Sequence, residues 1–325
     1  MRAIIPVAGV GTRLRPHTYS LPKVLLNVGG KPILGHILDT LIEQGITKAT
    51  IITGYMRKLV EEYVRSHYSI EVDFVKQDVS LGLGHAIWVA NETFDSEPLL
   101  IILGDTIFDL DLSPVKDSKI SLIGVKEVED PRRFGVVVTN KHGRIDRLVE
   151  KPQTPVSNLA IVGLYYIANP DILKEALVEL MKKDIKTQGE YQLTDALQVM
   201  LEKGEEFSTF TIDGWYDCGK PETLLSTNRY LLDKYSTIKT FPDAVIVPPV
   251  FIAPNATIER SVIGPYTTVA DGASVVDSVV RDSIISDGAM VTSSLLEMSI
   301  IGNNAYVRGN FNKLNVGNSS EINYG

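Results

Sequence analysis

Residues 252–280 read IAPNATIERSVIGPYTTVADGASVVDSVV, and the spacing of the aliphatic residues there decides the fold of the C-terminal third. Ile252, Ile258, Ile263, Val269, Val275 and Val280 follow one another at steps of five or six, and the series continues through Ile285, Val291, Leu296, Ile301 and Val307. Small residues come four positions after many of them, as at Ala256, Thr267, Ala273, Ala289 and Ala305. An amphipathic helix repeats at about 3.6 residues and a half-buried strand at about two. A period near six belongs to a parallel coil whose flat sides each turn one apolar and one small residue inward. An irregular β-sandwich would instead alternate between clusters of turn residues. We therefore expect a hexapeptide-repeat left-handed β-helix over residues 244–325, preceded by a linker at 236–243.

Upstream, residues 1–235 carry a different pattern. Short apolar runs at 2–7, 49–53, 71–75 and 99–103 read as strands. Between them, 32–44, 56–66 and 86–94 space their apolar residues by three and four, as helices do. Such alternation predicts an α/β, Rossmann-like domain with a mostly parallel sheet and helices on both faces. Ligands of such sheets bind at the carboxyl ends of the strands. Three distinctive segments fall there: the loop after the first strand, residues 77–86 after the third, and Gly104-Asp105 after the fourth.

Composition narrows the function. The chain has 325 residues, 44% hydrophobic and 22% charged, with a formal net charge of -8, so no basic surface for nucleic acid is indicated. Its single cysteine, Cys218, excludes an intrachain disulfide framework and a thiolate metal cage. No apolar stretch approaches the roughly 20 residues that span a bilayer, and the first residues do not have the pattern of a signal peptide. We expect a cytoplasmic protein without a membrane partner.

The chemistry is concentrated at residues 5–16, IPVAGVGTRLRP. After an apolar strand, Ala8, Gly9 and Gly11 let the backbone turn tightly and point N–H groups at an anion, and Arg13 and Arg15 follow at once. Position 14 is leucine, so the dinucleotide fingerprint fails, and no Gly-x-x-x-x-Gly-Lys-Ser/Thr run is present. The connection goes on to Pro22-Lys23 and Lys31-Pro32. With this run the chain resembles the sugar-1-phosphate nucleotidyltransferases, whose opening motif is Gly-x-Gly-Thr-Arg-Leu-x-Pro-x-Thr followed by Pro-Lys and Lys-Pro. Further segments carry the likeness in order: LGD at 103–105, FGVV at 134–137, VEKP at 149–152, NLAIVGLYY at 158–166, GEYQLTDAL at 189–197 and WYDCG at 215–219. The long form of glucose-1-phosphate thymidylyltransferase, which has a β-helix tail, is the subgroup most similar. Its loop, however, has one more residue before Gly-Thr-Arg. The shorter loop and GLGHA at 82–86 look more like bacterial uridylyltransferases, so dTTP and UTP both stay open.

The resemblance implies transfer of a nucleotidyl group from dTTP or UTP to glucose-1-phosphate, giving dTDP- or UDP-glucose and pyrophosphate, with Mg²⁺ as cofactor. By the family's pattern Ala8, Gly9, Gly11, Thr12 and Arg13 hold the triphosphate. Lys23 stabilises charge near the α-phosphate, and Asp105 and Asp217 are the metal ligands. Gln77 and Gly82 contact the base, the Gln77 amide donating to O4 and accepting from N3–H of a pyrimidine. Gly135, Glu150, Lys151, Val162 and Gly163 receive the sugar phosphate. Gln188 stands where many thymidylyltransferases have an arginine, which removes one phosphate contact. His85 and Cys218 read as structural residues.

Mannose-1-phosphate with GTP, or an amino-sugar phosphate, would fit the same chemistry. A second reading makes the coil an acyltransferase, but all five histidines (His17, His36, His67, His85 and His142) precede it, and that chemistry calls for a histidine base. A third is a non-catalytic nucleotide-sugar binder, against which Arg13, Lys23, Asp105 and Asp217 are all present. A coil without chemistry of its own is expected to serve assembly, making the protein a homo-oligomer through its C-terminal β-helix.

Overall fold

The computed structural model describes residues 1–116, 118–236 and 240–309. They form two compact units, one of Met1–Leu26 with Lys31–Leu224, the other of Asn27–Gly30 with the chain from Leu225 onward. Residues 237–239 of the expected linker and 310–325 of the expected coil lie outside the described residues.

In the first unit β1 (Arg2–Pro6), β2 (Lys48–Thr53), β3 (Glu71–Lys76) and β4 (Leu99–Ile102) lie in parallel in the order β4-β1-β2-β3. In β1, β2 and β4 most residues are buried aliphatics, as a doubly covered sheet requires, whereas the edge strand β3 alternates exposed polar and half-buried residues over most of its length. Helices α1 (Ile33–Glu43), α2 (Arg57–His67) and α3 (Leu83–Val89) supply the covering layers. Helix α3 starts three residues before the expected 86–94 and stops before Asn91. Gly82, at φ 110°, swings the chain in, and its carbonyl accepts from the Ala86 N–H at 3.1 Å. Gly84 is a packing residue, since a Cβ there would sit 2.9 Å from the Gln192 carbonyl oxygen.

The rest of the sheet is antiparallel in part. After β5 (Thr106–Phe108) come β6 (Ser121–Glu127), β7 (Gly135–Thr139), β8 (Ile145–Glu150) and β9 (Leu159–Ile167). Strand β9 runs antiparallel to β4, β6 and β7, so the sheet is mixed. Helices α4 (Pro170–Lys182) and α5 (Leu193–Glu202) pack on it, followed by β10 (Phe207–Thr211), parallel to β6, and β11 (Trp215–Asp217). The β9–β6 register slips between Ile161 and Tyr165, at Gly163 with φ 90°. Such bulges re-aim a strand beside a site.

The second unit is a parallel coil of three flat four-stranded sheets, consistent with a left-handed β-helix. The eleven aliphatic positions read from the sequence all belong to its apolar core, and Ile263, Val269, Val275, Val280, Ile285 and Val291 are fully buried. Burial of each is worth roughly 1.5–3 kcal/mol. On one sheet the outward residues are covered: Thr268 donates to Asn228 Oδ1 at 2.7 Å, and Arg229 pairs with Asp282, both partners lying on α6 (Pro221–Tyr235). The compact unit therefore begins within α6, upstream of the linker expected at 236–243. On another sheet Val245, Val262, Val279 and Leu295 stand in register and point outward, with Leu295 79% exposed. Among the described residues no helix is long and apolar enough to cross a membrane.

Candidate active site

The loop after β1 is built by close packing. The Val7 N–H still donates to the Ile52 carbonyl at 2.8 Å, carrying the chain one residue beyond the strand. Gly11 then adopts φ 69°, with space for a Cβ already taken by Lys23 Cβ at 3.0 Å and Thr18 Cγ2 at 3.1 Å. The Thr18 hydroxyl donates to the Gly11 carbonyl at 2.8 Å, and fully buried Leu14 anchors the short turn Thr12–Leu14 that carries Arg13. Lys23 follows on a second short turn with its side chain 9% exposed, and its Nζ donates to Asp105 Oδ2 at 2.6 Å. A largely buried ammonium needs such a counter-charge.

Asp105 sits just past the carboxyl end of β4. Strands β5 and β11 pair antiparallel with Thr106 opposite Asp217, and the Cys218 N–H donates to the Asp105 carbonyl at 3.0 Å. Two aspartates 112 positions apart in the sequence thus come to neighbouring rungs. The Asp217 carboxylate accepts from the Gly219 N–H at 3.0 Å and the Thr223 hydroxyl at 3.1 Å, which sets its orientation. Cys218 is fully buried, in keeping with its structural reading.

Two cavities open at this edge. One, of about 560 Å³, is lined by Ala8, Gly9, Gly11, Thr12, Arg13, Lys23, Gln77, Gly82 and Asp105, which brings together every residue expected at the nucleotide. The other, of about 400 Å³, is lined by Gly135, Glu150, Val162, Gly163 and Asp217, with Arg13 and Asp105 shared. Lys151 lines neither; it lies at φ 43° with Nζ 3.3 Å from Glu150 Oε1. Glu150 also accepts from the Thr194 hydroxyl at 2.7 Å, and a Cβ at Gly135 would lie 2.8 Å from that hydroxyl and 2.9 Å from Glu150 Oε2. Tyr165, buried in the same wall beside Glu150, has its phenol pushed well above the ordinary range by burial and then by that negative charge.

Arg133, Phe134, Thr194, Trp215 and Lys220 also line the smaller cavity and were not singled out from the sequence. All lie in or beside the quoted motifs FGVV, GEYQLTD and WYDCG, but no pattern along the chain says which side chain of a motif faces inward. Chemically, the two cavities combine arginine and lysine groups with the carboxylate of Asp105 at their common wall and that of Asp217 in the smaller one. Among the described residues no three His, Cys, Asp or Glu side chains gather as a self-sufficient metal cage. Guanidinium and ammonium groups can pair with phosphates, and carboxylates can hold a divalent cation jointly with phosphate oxygens.

Comparison with known proteins agrees. The family described as nucleotidyl transferase matches residues 2–234. A UTP–glucose-1-phosphate uridylyltransferase of Haloferax volcanii is 34% identical over 232 residues, covering 68% of this chain and 93% of that one. A glucose-1-phosphate thymidylyltransferase of Streptomyces antibioticus is 29% identical over 315 residues, covering 88% of this chain and 87% of that one. A crystal structure of UDP-glucose pyrophosphorylase complexed with UDP-glucose superposes with a TM-score of 0.62 at 28% identity, over 72% of this chain and 99% of its own. The match from residue 2 to 234 spans the whole α/β unit and both cavities, and on it the chain belongs to the nucleotidyl transferase family.

Proposed function

We propose that the protein transfers a nucleotidyl group from UTP or dTTP to glucose-1-phosphate, releasing pyrophosphate. The observation that carries this reading is the pair of adjoining cavities with Arg13 and Asp105 in the wall between them. A nucleoside triphosphate in the larger and a sugar phosphate in the smaller would meet at that wall. There a phosphate oxygen attacks the α-phosphorus in line, a P–O bond forms, and the bond to the β-phosphate breaks. The attacking phosphate monoester, with a second pKa of about 6, is already ionised at neutral pH, so no general base is needed. What remains is to position two anions and offset their repulsion.

The glycine-lined loop of Ala8, Gly9, Gly11 and Thr12 directs main-chain N–H groups at the triphosphate. Arg13 supplies a planar fork reaching phosphates on both sides of the wall, and Lys23 a point charge beside the α-phosphate. Glu150, fixed by Thr194, accepts from sugar hydroxyls, while Gly135, Val162 and Gly163 leave the space the ring occupies. Asp105 and Asp217 suit Mg²⁺, which takes one or two carboxylates together with phosphate oxygens and water. When bound, the ion neutralises charge that develops on the phosphates. Lys151, next to Glu150, swings to the sugar phosphate from its resting ion pair.

The decisive experiment is pyrophosphate release with Mg²⁺ and glucose-1-phosphate against dTTP, UTP, GTP, ATP and CTP in parallel. Turnover with UTP or dTTP supports the reading and shows which is preferred. Silence with all five, and again with mannose- and glucosamine-type phosphates, would leave a non-catalytic nucleotide-sugar binder.

The outward column Val245, Val262, Val279 and Leu295 supports assembly through the coil, because an aliphatic stripe on a flat sheet is an association surface. Leu295→Asp is expected to lower the assembly state in analytical ultracentrifugation without loss of turnover. A wild-type monomer, or an unchanged assembly in the variant, would remove this role.

A further inference from the structure

The base end of the larger cavity contains a constraint that the expected two-point contact of Gln77 does not accommodate. Gln77 directly follows β3, and its N–H donates to the Thr53 carbonyl at 2.8 Å, so the sheet fixes where its side chain starts. That side chain is almost wholly buried. Its Nε2 donates to the Gly82 carbonyl at 3.2 Å and lies 2.9 Å from His85 Nδ1. A carbonyl oxygen only accepts, so the nitrogen end of the amide must be the end that faces Gly82. An amide nitrogen only donates, so His85 Nδ1 must accept. The imidazole is therefore neutral with its proton on Nε2.

The surroundings agree with that state. Burial alone moves the His85 pKa, and moves it downward. The ring is steadied on α3 by Trp88, their centroids 5.7 Å apart. With both amide hydrogens engaged, Gln77 has only Oε1 to offer, and Oε1 has no partner among the described residues although Gln77 lines the cavity.

We propose that His85 is a positioning residue that locks the Gln77 amide with its carbonyl toward the base, so that the site selects a ring N–H donor. Uracil and thymine present N3–H, whereas cytosine presents a bare N3 that would face Oε1 lone pair to lone pair. The Gln77 contact is thus one-sided: it accepts from N3–H and does not donate to O4. This selection rests on the nucleotidyl-transfer reading, because it assumes that the larger cavity receives the base. Without the histidine acceptor the second amide hydrogen is released, and a small rotation about the Gly82 bond presents it to cytosine N3.

The test uses the full chain as wild type, His85→Asn and His85→Leu. Asparagine places an accepting oxygen near the position of Nδ1, while leucine keeps bulk without an acceptor. Equilibrium dissociation constants for UTP and CTP are measured by calorimetry, and kcat/KM for both with glucose-1-phosphate. Sites built on such a hydrogen bond discriminate strongly, so the UTP-to-CTP ratio should fall by about tenfold or more in His85→Leu and stay within about threefold of wild type in His85→Asn. Independently, nitrogen NMR of histidine-labelled wild type should give an unprotonated Nδ1 and a protonated Nε2 at His85. An Nδ1–H tautomer, an unchanged ratio in His85→Leu, equal effects of both variants, or wild type that binds UTP and CTP alike or binds neither would each overturn the proposal. Preferential UTP binding that is lost in His85→Leu, in a protein that releases no pyrophosphate, would uphold the role of His85 and overturn the proposed reaction instead.

Discussion

Asp105→Asn is expected to lower kcat/KM by about a thousandfold, equivalent to roughly 4 kcal/mol of transition-state stabilisation. The reason is charge at the common wall. Asp105 lines both cavities, with Asp217 close by across the β5–β11 ribbon. Removing one carboxylate halves the protein charge available to a divalent cation while leaving the shape of the site unchanged. Asparagine is the informative replacement, because its amide oxygen still accepts from Lys23 Nζ where alanine would leave that ammonium, 9% exposed, without a partner. Initial rates of pyrophosphate release at several Mg²⁺ concentrations check the prediction. The variant should need more Mg²⁺ to reach its own half-maximal rate, and wild-type Mg²⁺ dependence would remove Asp105 from the metal set.

Lys23→Ala is the second large effect, a fall of about a hundredfold or more, carried mainly by kcat. Lys23 is held in place by the packing of its Cβ against Gly11 and by its bond to Asp105, so its charge is already positioned before substrate arrives. A preorganised charge counts most where negative charge grows, on the α-phosphate and the departing pyrophosphate. Asp105, whose side chain is 38% exposed, is solvated when the lysine is removed, and the fold should survive. Steady-state kinetics with thermal unfolding as a control would separate the cases. A rise in KM at unchanged kcat would reduce Lys23 to a substrate-holding group.

How far the chain could be read depended on the range of the interactions concerned. The period near six in residues 252–307 needs no partner to be recognised, and the eleven aliphatic positions it picked out are the core of the coil. Three of the four parallel strands, β1, β2 and β4, are equally local signals, because buried parallel strands are largely continuous apolar runs, whereas the edge strand β3 is polar at alternate positions over most of its length. The start of α3 was misplaced since Gly82 and Gly84 look like loop residues until Gln192 and Tyr191 are seen packed against them. The smaller cavity was half legible. Gly135, Glu150, Val162 and Gly163 come from three segments with recognisable motifs, but Arg133, Thr194 and Trp215 face the same space only because β7, α5 and β11 converge there.

The amino-acid order alone, then, was enough for two kinds of architecture and for the glycine-rich loop that lines the larger cavity, since periodicity and short motifs are properties of neighbouring residues. Tertiary structure was needed to bring Asp105 beside Asp217 through one antiparallel ribbon, to divide the site into two cavities sharing Arg13, and to set the Gln77 amide within hydrogen-bond distance of His85. Those outcomes depend on distances between segments far apart along the chain, and on which hydrogen-bonding end of a side chain meets which partner. Both are settled only when the sheet closes and the helices pack on it.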